Sequence, residues 1–476
     1  MKVVERDQSH PRGLRRLHPR RREREGEYGE QPAAGKDESH RQILRRDYRC
    51  AGVCGVLCYL RRMSSAAIRG DVRNDAEVIG LVGLAHGTSH FFHLMLPPLF
   101  PWLMKEFSLS YTQVGFLMTV FFVISGIGQA LAGFVVDRVG ARPVLFFGVG
   151  TLAASGVVLG LADGYPALVL AAAVAGTGNS IFHPADFTLL NRRVCPARLG
   201  HAFSVHGLSG NLGWAAAPVF MAGIASLSDW HVAAFAASAF GLAVLAILIA
   251  RAPVLGEQVA DRTVAVPTTT AVGTGPEQLR FLRSGAVWMC FVFFFLATGA
   301  FGILQNYAPA ILCHVYRLPL ALATAGLTAY LLGSAAGMVV GGFAATRHDN
   351  SDVVIAFALG LAAFVSLLLA SAVVPSWSVI ALMAVMGFGV GVAGPNRDLL
   401  VRKAATAQFG KTSYGRVYGF VYSGLDVGLA VTPVVFGPVL DAGGFAAALV
   451  GVAALQVAAL ASALRVGRGA RAAQAS

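Results

Sequence analysis

The sequence predicts an all-α membrane protein of twelve transmembrane helices arranged as two pseudo-symmetric six-helix bundles. Three observations carry that expectation. Hydrophobic residues fill 55% of the 476 positions and charged residues only 13%, about half the charged share of a soluble domain. From Glu77 onward, apolar runs of about 20 residues recur, each long enough for a hydrocarbon layer about 30 Å thick. Gly115, Gly126, Gly178 and Pro184 return as Gly326, Gly337, Gly389 and Pro395, each pair 211 positions apart. One constant offset across two helices of each half marks a duplicated half, which a transporter that rocks about a central site requires.

The elements follow in order. Residues 1–76 are polar and basic, with runs such as Arg20-Arg21-Arg22 and no apolar period, so a disordered extension is expected there. Cys50 to Leu60 is too short and too closely followed by Arg61 and Arg62 for a signal peptide, and Met63 offers an alternative start. Spans are expected near 78–103, 112–136, 143–162, 166–190, 201–225 and 231–250, which makes 77–250 the first bundle. A hydrophilic linker, 251–284, contains Thr268-Thr269-Thr270 with scattered Pro and Gly. Spans near 285–312, 320–345, 353–373, 377–400, 415–440 and 444–464 form a second bundle over 285–465, followed by a tail, 466–476.

Charge gives the orientation. The odd-numbered connections hold Lys105 and Arg317, whereas the even-numbered ones hold Arg138, Arg142, Arg192, Arg193, Arg251, Arg347 and Lys403, with Arg465 past the last span. The positive-inside rule then puts both termini in the cytoplasm of a bacterial-type plasma membrane. The net charge of +13 belongs to the tail and these loops, so no nucleic-acid partner is expected. The six cysteines build no disulfide framework. Cys50, Cys54 and Cys58 share a helical face but lack the paired C-x-x-C spacing of a zinc site. No G-x-x-x-x-G-K-[ST] loop is present, so nucleotide hydrolysis does not power the protein. It is expected to be no enzyme, to hold no cofactor or metal, and to work as a monomer in the bilayer.

The polar residues inside the spans are the candidates for chemistry, because such groups are costly in hydrocarbon. His86, His90 and His93 are spaced i, i+4, i+7 and share one face of span 1. Their ordinary titration range suits proton coupling or contact with an anion; the alternative is neutral histidines bonded to neighbouring helices. Asp426 lies about twelve residues, or about 18 Å, into span 11, where a carboxylate without a partner favours its protonated form. Tyr418 and Tyr422 share its face. A fixed bond to His206 or Asn211 is the structural alternative for Asp426. Asn179, Asn211, Gln305, Asn306 and Tyr307 are further polar groups that can orient a substrate or glue helices together. His183 with Asp186, and Arg397 with Asp398, lie toward the basic ends of spans 4 and 10 and are expected to be gates or interhelical salt bridges. The His86-x-x-x-His90 pair is similar to a diiron histidine box, but the other membrane histidines are scattered through the sequence, at 183, 201, 206, 231, 314 and 348.

Between spans 2 and 3 stands Gly133-Phe-Val-Val-Asp137-Arg138-Val-Gly140-Ala-Arg142-Pro143. It resembles the loop signature of the major facilitator superfamily, with Gly133, Asp137, Arg138, Gly140 and Arg142 at the signature positions. The resemblance implies that this loop is a latch for one conformational state, and that spans 1, 4, 7 and 10 line a central cavity. The matching loop after span 8, Gly342-Phe-Ala-Ala-Thr346-Arg347, keeps the Gly and Arg but not the acid, so the latch should be one-sided. Within the superfamily, His90-Phe-Phe-His93, the stretch from Glu106 to Gly115, and Gly176-Thr-Gly-Asn-Ser-Ile-Phe-His183-Pro184 look like the fosmidomycin-resistance type. Here Ala185 separates that His-Pro pair from the acidic Asp186. The implied function is secondary transport of a small organic molecule coupled to protons, with efflux of a drug or organic anion ahead of metabolite uptake. A non-transporting membrane sensor is the competing class.

Overall fold

The computed structural model describes residues 72–195, 198–256, 283–347, 350–409 and 414–475, and gives the backbone alone at 286, 346–347, 398, 401–409, 414–419, 422 and 470–475. The extension before residue 72 with its Met63, residues 257–282 of the linker, and the side chains of Asp398, Tyr418 and Tyr422 lie outside the described residues.

Among the described residues, twelve long helices cross the layer. They are α1 (72–93), α2 (Tyr111–Val139), α3 (Ala141–Gly160), α4 (Tyr165–Arg193), α5 (Leu199–Leu227), α6 (Trp230–Ala250), α7 (Gly285–Tyr316), α8 (Leu320–Arg347), α9 (Ser351–Ala370), α10 (Val379–Phe409), α11 (Tyr414–Asp441) and α12 (Phe445–Ala475). Eleven of them are apolar enough to be recognised by length and composition alone; α1 carries three histidines, Thr88 and Ser89 among its buried residues instead. Phe134, Phe343 and Phe357 stand exposed, which in this setting means facing lipid tails.

Proline shapes two of the crossings. The sequence expectation of one span over 78–103 is corrected, because α1 ends at His93 and the chain turns before Pro97 and Pro98. Neither proline can donate a backbone hydrogen bond to an ongoing helix. A 3-10 turn (Pro97–Leu99) and a short helix (Phe100–Phe107) complete the crossing, with Leu94, Met95, Leu96 and Leu99 all buried. Within α4 the helix is interrupted after Asn179 and resumes at Phe182; Pro184 removes the bond to Ser180 and its ring crowds that carbonyl. Asn179, just before the break, reaches His93 on α1, and His183, just after it, reaches Gln129 on α2.

The repeat seen in the sequence reappears as packing. A Cβ on Gly178 would come 2.9 Å from the Leu152 nitrogen on α3, and one on Gly389 would come 2.6 Å from the Ala358 oxygen on α9. In each half the fourth helix can approach the third this closely only because the position has no side chain. Gly140, between α2 and α3, has φ +95°, a conformation that disfavours any other residue.

Candidate functional site

The first bundle holds a cluster of polar side chains in an otherwise apolar interior. α1 supplies His86, His90 and His93, spread over two turns of one face, with neighbouring ring centroids 4.4 and 4.9 Å apart. α4 supplies Asn179, His183 and Asp186 around its break, and α5 supplies His206 and Trp214. Gly210 and Gly213 on α5 leave room for these rings and for the α1 backbone.

The cluster has two arms. On one, the Asn179 Oδ1 lies 2.7 Å from His93 Nε2, and the Asn179 amide donates to Ser125 Oγ at 2.7 Å. The Trp214 indole donates to His93 Nδ1 at 3.3 Å. Both nitrogens of His93 are therefore committed, with Nε2 as the donor to Asn179. On the other arm, Asp186 Oδ2 lies 3.0 Å from His206 Nε2 and 3.2 Å from His86 Nδ1. The rings of His86 and His206 stack with centroids 3.5 Å apart. Asp186 is 0% exposed, so its charge cannot be met by bulk water and falls to these imidazoles.

A third strand of contacts leaves the cluster for the second bundle. His183 Nδ1 lies 2.8 Å from Gln129 Oε1, and the Gln129 amide reaches Asp426 Oδ2 at 3.4 Å. Gly126 lets α11 approach here, since a Cβ at that position would sit 3.3 Å from the Cβ of Asp426. Gln129 lies ten residues before the end of α2, about 15 Å along the helix from the basic-loop side.

The sequence expectations fare unevenly. His86, His90 and His93 do share a buried face. His183 and Asp186, expected as a gate or interhelical salt bridges, lie among the α1 and α5 histidines, and Asp186 pairs between helices with His206 and His86. The expected alternative for Asp426, a bond to His206 or Asn211, is replaced by Gln129. Asn211 bonds Gly207 within its own helix and touches Met338 on α8. Asn306 bonds Gly302 and leaves its Oδ1 without a hydrogen bond, and the fully buried Gln305 beside it has no partner for either amide atom. The Tyr307 hydroxyl sits 3.2 Å from the Tyr111 carbonyl and 3.0 Å from that of Pro433. The Arg397 guanidinium stacks on the Phe294 ring at 4.4 Å. In the loop signature, Gly133 borders open space, Asp137 and Arg138 are exposed, and Arg142 donates to the Ala252 carbonyl at 3.3 Å.

One contact was not anticipated. On the side away from the basic loops, Asp441 at the end of α11 accepts the backbone N–H of Tyr111 at 2.6 Å and of Thr112 at 3.0 Å, and the Thr112 hydroxyl at 2.5 Å. Ser110 and Gln113 form a capping box at the same helix start. The second bundle thus supplies part of the N-cap of a helix in the first, a clasp that favours closure of this side.

The sequence matches the profile of the Major Facilitator Superfamily over residues 82–405. The fosmidomycin resistance protein of Escherichia coli (strain K12) is 26% identical over 373 residues, 77% of this chain and 88% of that one. The membrane sensor protein UhpC of the same organism is 23% identical over 369 residues, 72% of this chain and 81% of that one. Among solved structures, a bacterial homolog of the human lysosomal transporter Spinster, in an inward-facing and occupied conformation, superposes with a TM-score of 0.64 at 14% identity, covering 83% of this chain and 97% of that one. With twelve helices, a paired-bundle design and a profile match across both halves, the chain belongs to the Major Facilitator Superfamily and is a multi-pass secondary transporter.

Proposed function

We propose that the protein is a proton-coupled exporter of a small organic anion of the fosmidomycin class, with Asp426 as the proton carrier. The observation that carries the reading is the polar path from Asp426 through Gln129 to His183, which crosses from the second bundle to the first. A carboxylate beside the bundle interface, held by one long amide contact, can take up a proton in one conformation and release it in the other at small structural cost. The neighbouring histidines, Asn179 and Trp214 form a polar and aromatic wall for a substrate on the first bundle, while Asn306 and Asn211 contribute from α7 and α5. Direction and substrate class are supported by the similarity to the fosmidomycin resistance protein.

In this reading the bundles, 77–250 and 285–465, rock about the central site as a monomer in a bacterial plasma membrane. The basic loops and both termini lie in the cytoplasm. The loop bearing Gly133, Asp137, Arg138, Gly140 and Arg142, together with the Arg397 region, latches the cytoplasmic side.

The test is transport by reconstituted protein of phosphonates, carboxylates and lipophilic cations, with and without a proton gradient. Gradient-driven phosphonate flux is expected, and Asp426→Asn should abolish it while counterflow exchange persists; undiminished gradient-driven flux in that variant removes Asp426 as the carrier. The similarity to a membrane sensor favours a second reading, in which the extension before residue 63 is the output of a non-transporting receptor. Deleting residues 1–62 separates the two, since a transporter keeps its flux and a sensor falls silent.

A further inference from the structure

We propose that His86, Asp186 and His206 form a binding site for a divalent transition-metal ion of the zinc class, bridging α1, α4 and α5 within the first bundle. The three donor atoms lie within 4.8 Å of one another and all three residues are buried. Two imidazole nitrogens approach one carboxylate oxygen at 3.0 and 3.2 Å, and a tetrahedral ion with bonds of about 2.0–2.1 Å holds its ligand atoms about 3.3 Å apart; the His86 and His206 rings, stacked with centroids 3.5 Å apart, splay on loading so that both lone pairs point at the ion.

Hydrogen bonding inside the protein does not account for this arrangement. His206 has a proper bond to Asp186, but His86 Nδ1, despite its closeness, lacks hydrogen-bond geometry, and the second carboxylate oxygen, Asp186 Oδ1, is buried without a partner. His90 Nδ1, next along α1, is likewise buried and unpartnered. Buried polar atoms are nearly always satisfied, and three exceptions within one knot of imidazole and carboxylate point to a cation as the shared partner.

The surroundings support the same assignment. Two histidines and a carboxylate are a recurrent three-ligand set for zinc, with a fourth position left open. A second trio, His86, His90 and His183, shares His86 with the first, so further nitrogen donors stand at that open side. The bond between His183 Nδ1 and Gln129 Oε1 fixes the imidazole so that its Nε2 keeps the free lone pair, as the outer partners of metal-bound histidines do. His93, with both nitrogens committed to Asn179 and Trp214, is excluded as a ligand. An imidazole-rich donor set suits zinc, nickel, cobalt or copper ions rather than magnesium or calcium. Because every ligand belongs to one bundle, the ion can stay bound while the bundles rock.

The test uses the full-length protein in detergent, stripped with a chelator and titrated separately with Zn2+ and Co2+. One ion per chain is expected, with the intense visible absorption of four-coordinate Co2+ and a Zn2+-dependent rise in melting temperature. Asp186→Asn and His206→Gln should each weaken binding by more than about ten-fold and remove the thermal shift, whereas His231→Ala, at the opposite end of the first bundle, should leave both unchanged. If Asp186→Asn does not fold, His206→Gln carries the same reading. Substoichiometric binding, or equal affinity in wild type and His206→Gln, overturns the proposal. No substrate or gradient enters the measurement, so its outcome is independent of the transport reading.

Discussion

Asn179 shows how one side chain organises the interior around it. It meets His93 with its oxygen and Ser125 with its nitrogen, so it ties α4 to both α1 and α2. Asn179→Leu would leave the His93 Nε2 and Ser125 hydroxyl buried without a partner, at a cost of about 1–3 kcal/mol for each group. A clearly lowered melting temperature in detergent is expected, and an unchanged one would mean that these groups find other partners. Gln129 has a different task. Gln129→Leu keeps the volume but cuts the link between Asp426 and His183, and the pH dependence of flux should change while folding is kept. Identical pH profiles for the variant and the wild type would take Gln129 out of the coupling path. At Gly140 the backbone decides the outcome: at φ +95°, alanine costs about 1 kcal/mol or more. The histidine face of α1 was legible because 86, 90 and 93 are close in sequence. Its partners were not, because His183 and His206 come from distant helices and nothing local in the sequence says which faces of α4 and α5 meet α1.

At the scale of elements, the sequence read spans well where apolar runs were uninterrupted and poorly where proline intervened. The Pro97-Pro98 pair shortened α1 and Pro184 interrupts α4, as prolines inside spans are expected to do; what the unbroken hydropathy hid was where α1 ends. The loop signature on the basic side was legible in the sequence, but the clasp on the other side was not, because Asp441 looks like an ordinary loop acid until α2 is seen to start against it. The local signal was present in the first turn of α2, where Ser110 and Gln113 already mark a capped start. Asp441 adds a carboxylate to the positive end of that helix, an arrangement that costs about 1 kcal/mol when lost. Asp441→Ala should therefore shift the balance of conformations about five-fold away from closure on this side. Labelling of a cysteine replacing Thr119, which bonds the Ala430 carbonyl across the same interface, reports it: faster labelling is expected in the Asp441→Ala background, and equal rates would mean that the clasp does not hold the bundles.

For the molecule as a whole, the two bundles are tied on the side of Asp441 and Tyr307, and the repeat makes each a structural echo of the other. The chemistry is unequally divided. The first bundle carries the histidines and Asp186, the second carries Asp426, and Gln129 is the point where they meet. Recurring apolar runs and the 211-residue repeat were sufficient to foresee a twelve-helix membrane protein with duplicated halves, because the bilayer leaves so few ways to satisfy a backbone. It could not foresee which polar groups would meet across the interface, since that depends on packing between helices hundreds of residues apart. The central claim is that the bundles rock about the level of Asp426, and two spin-label distances on one protein preparation test it most directly. Labels at Lys105 and Ala442 report the clasped side, and labels at Val139 and Phe343 report the basic side; all four positions are exposed. On replacing Asp441 by alanine, the account predicts that the first distance lengthens as the second shortens. Two distances that stay fixed, or that move in the same direction, would contradict it.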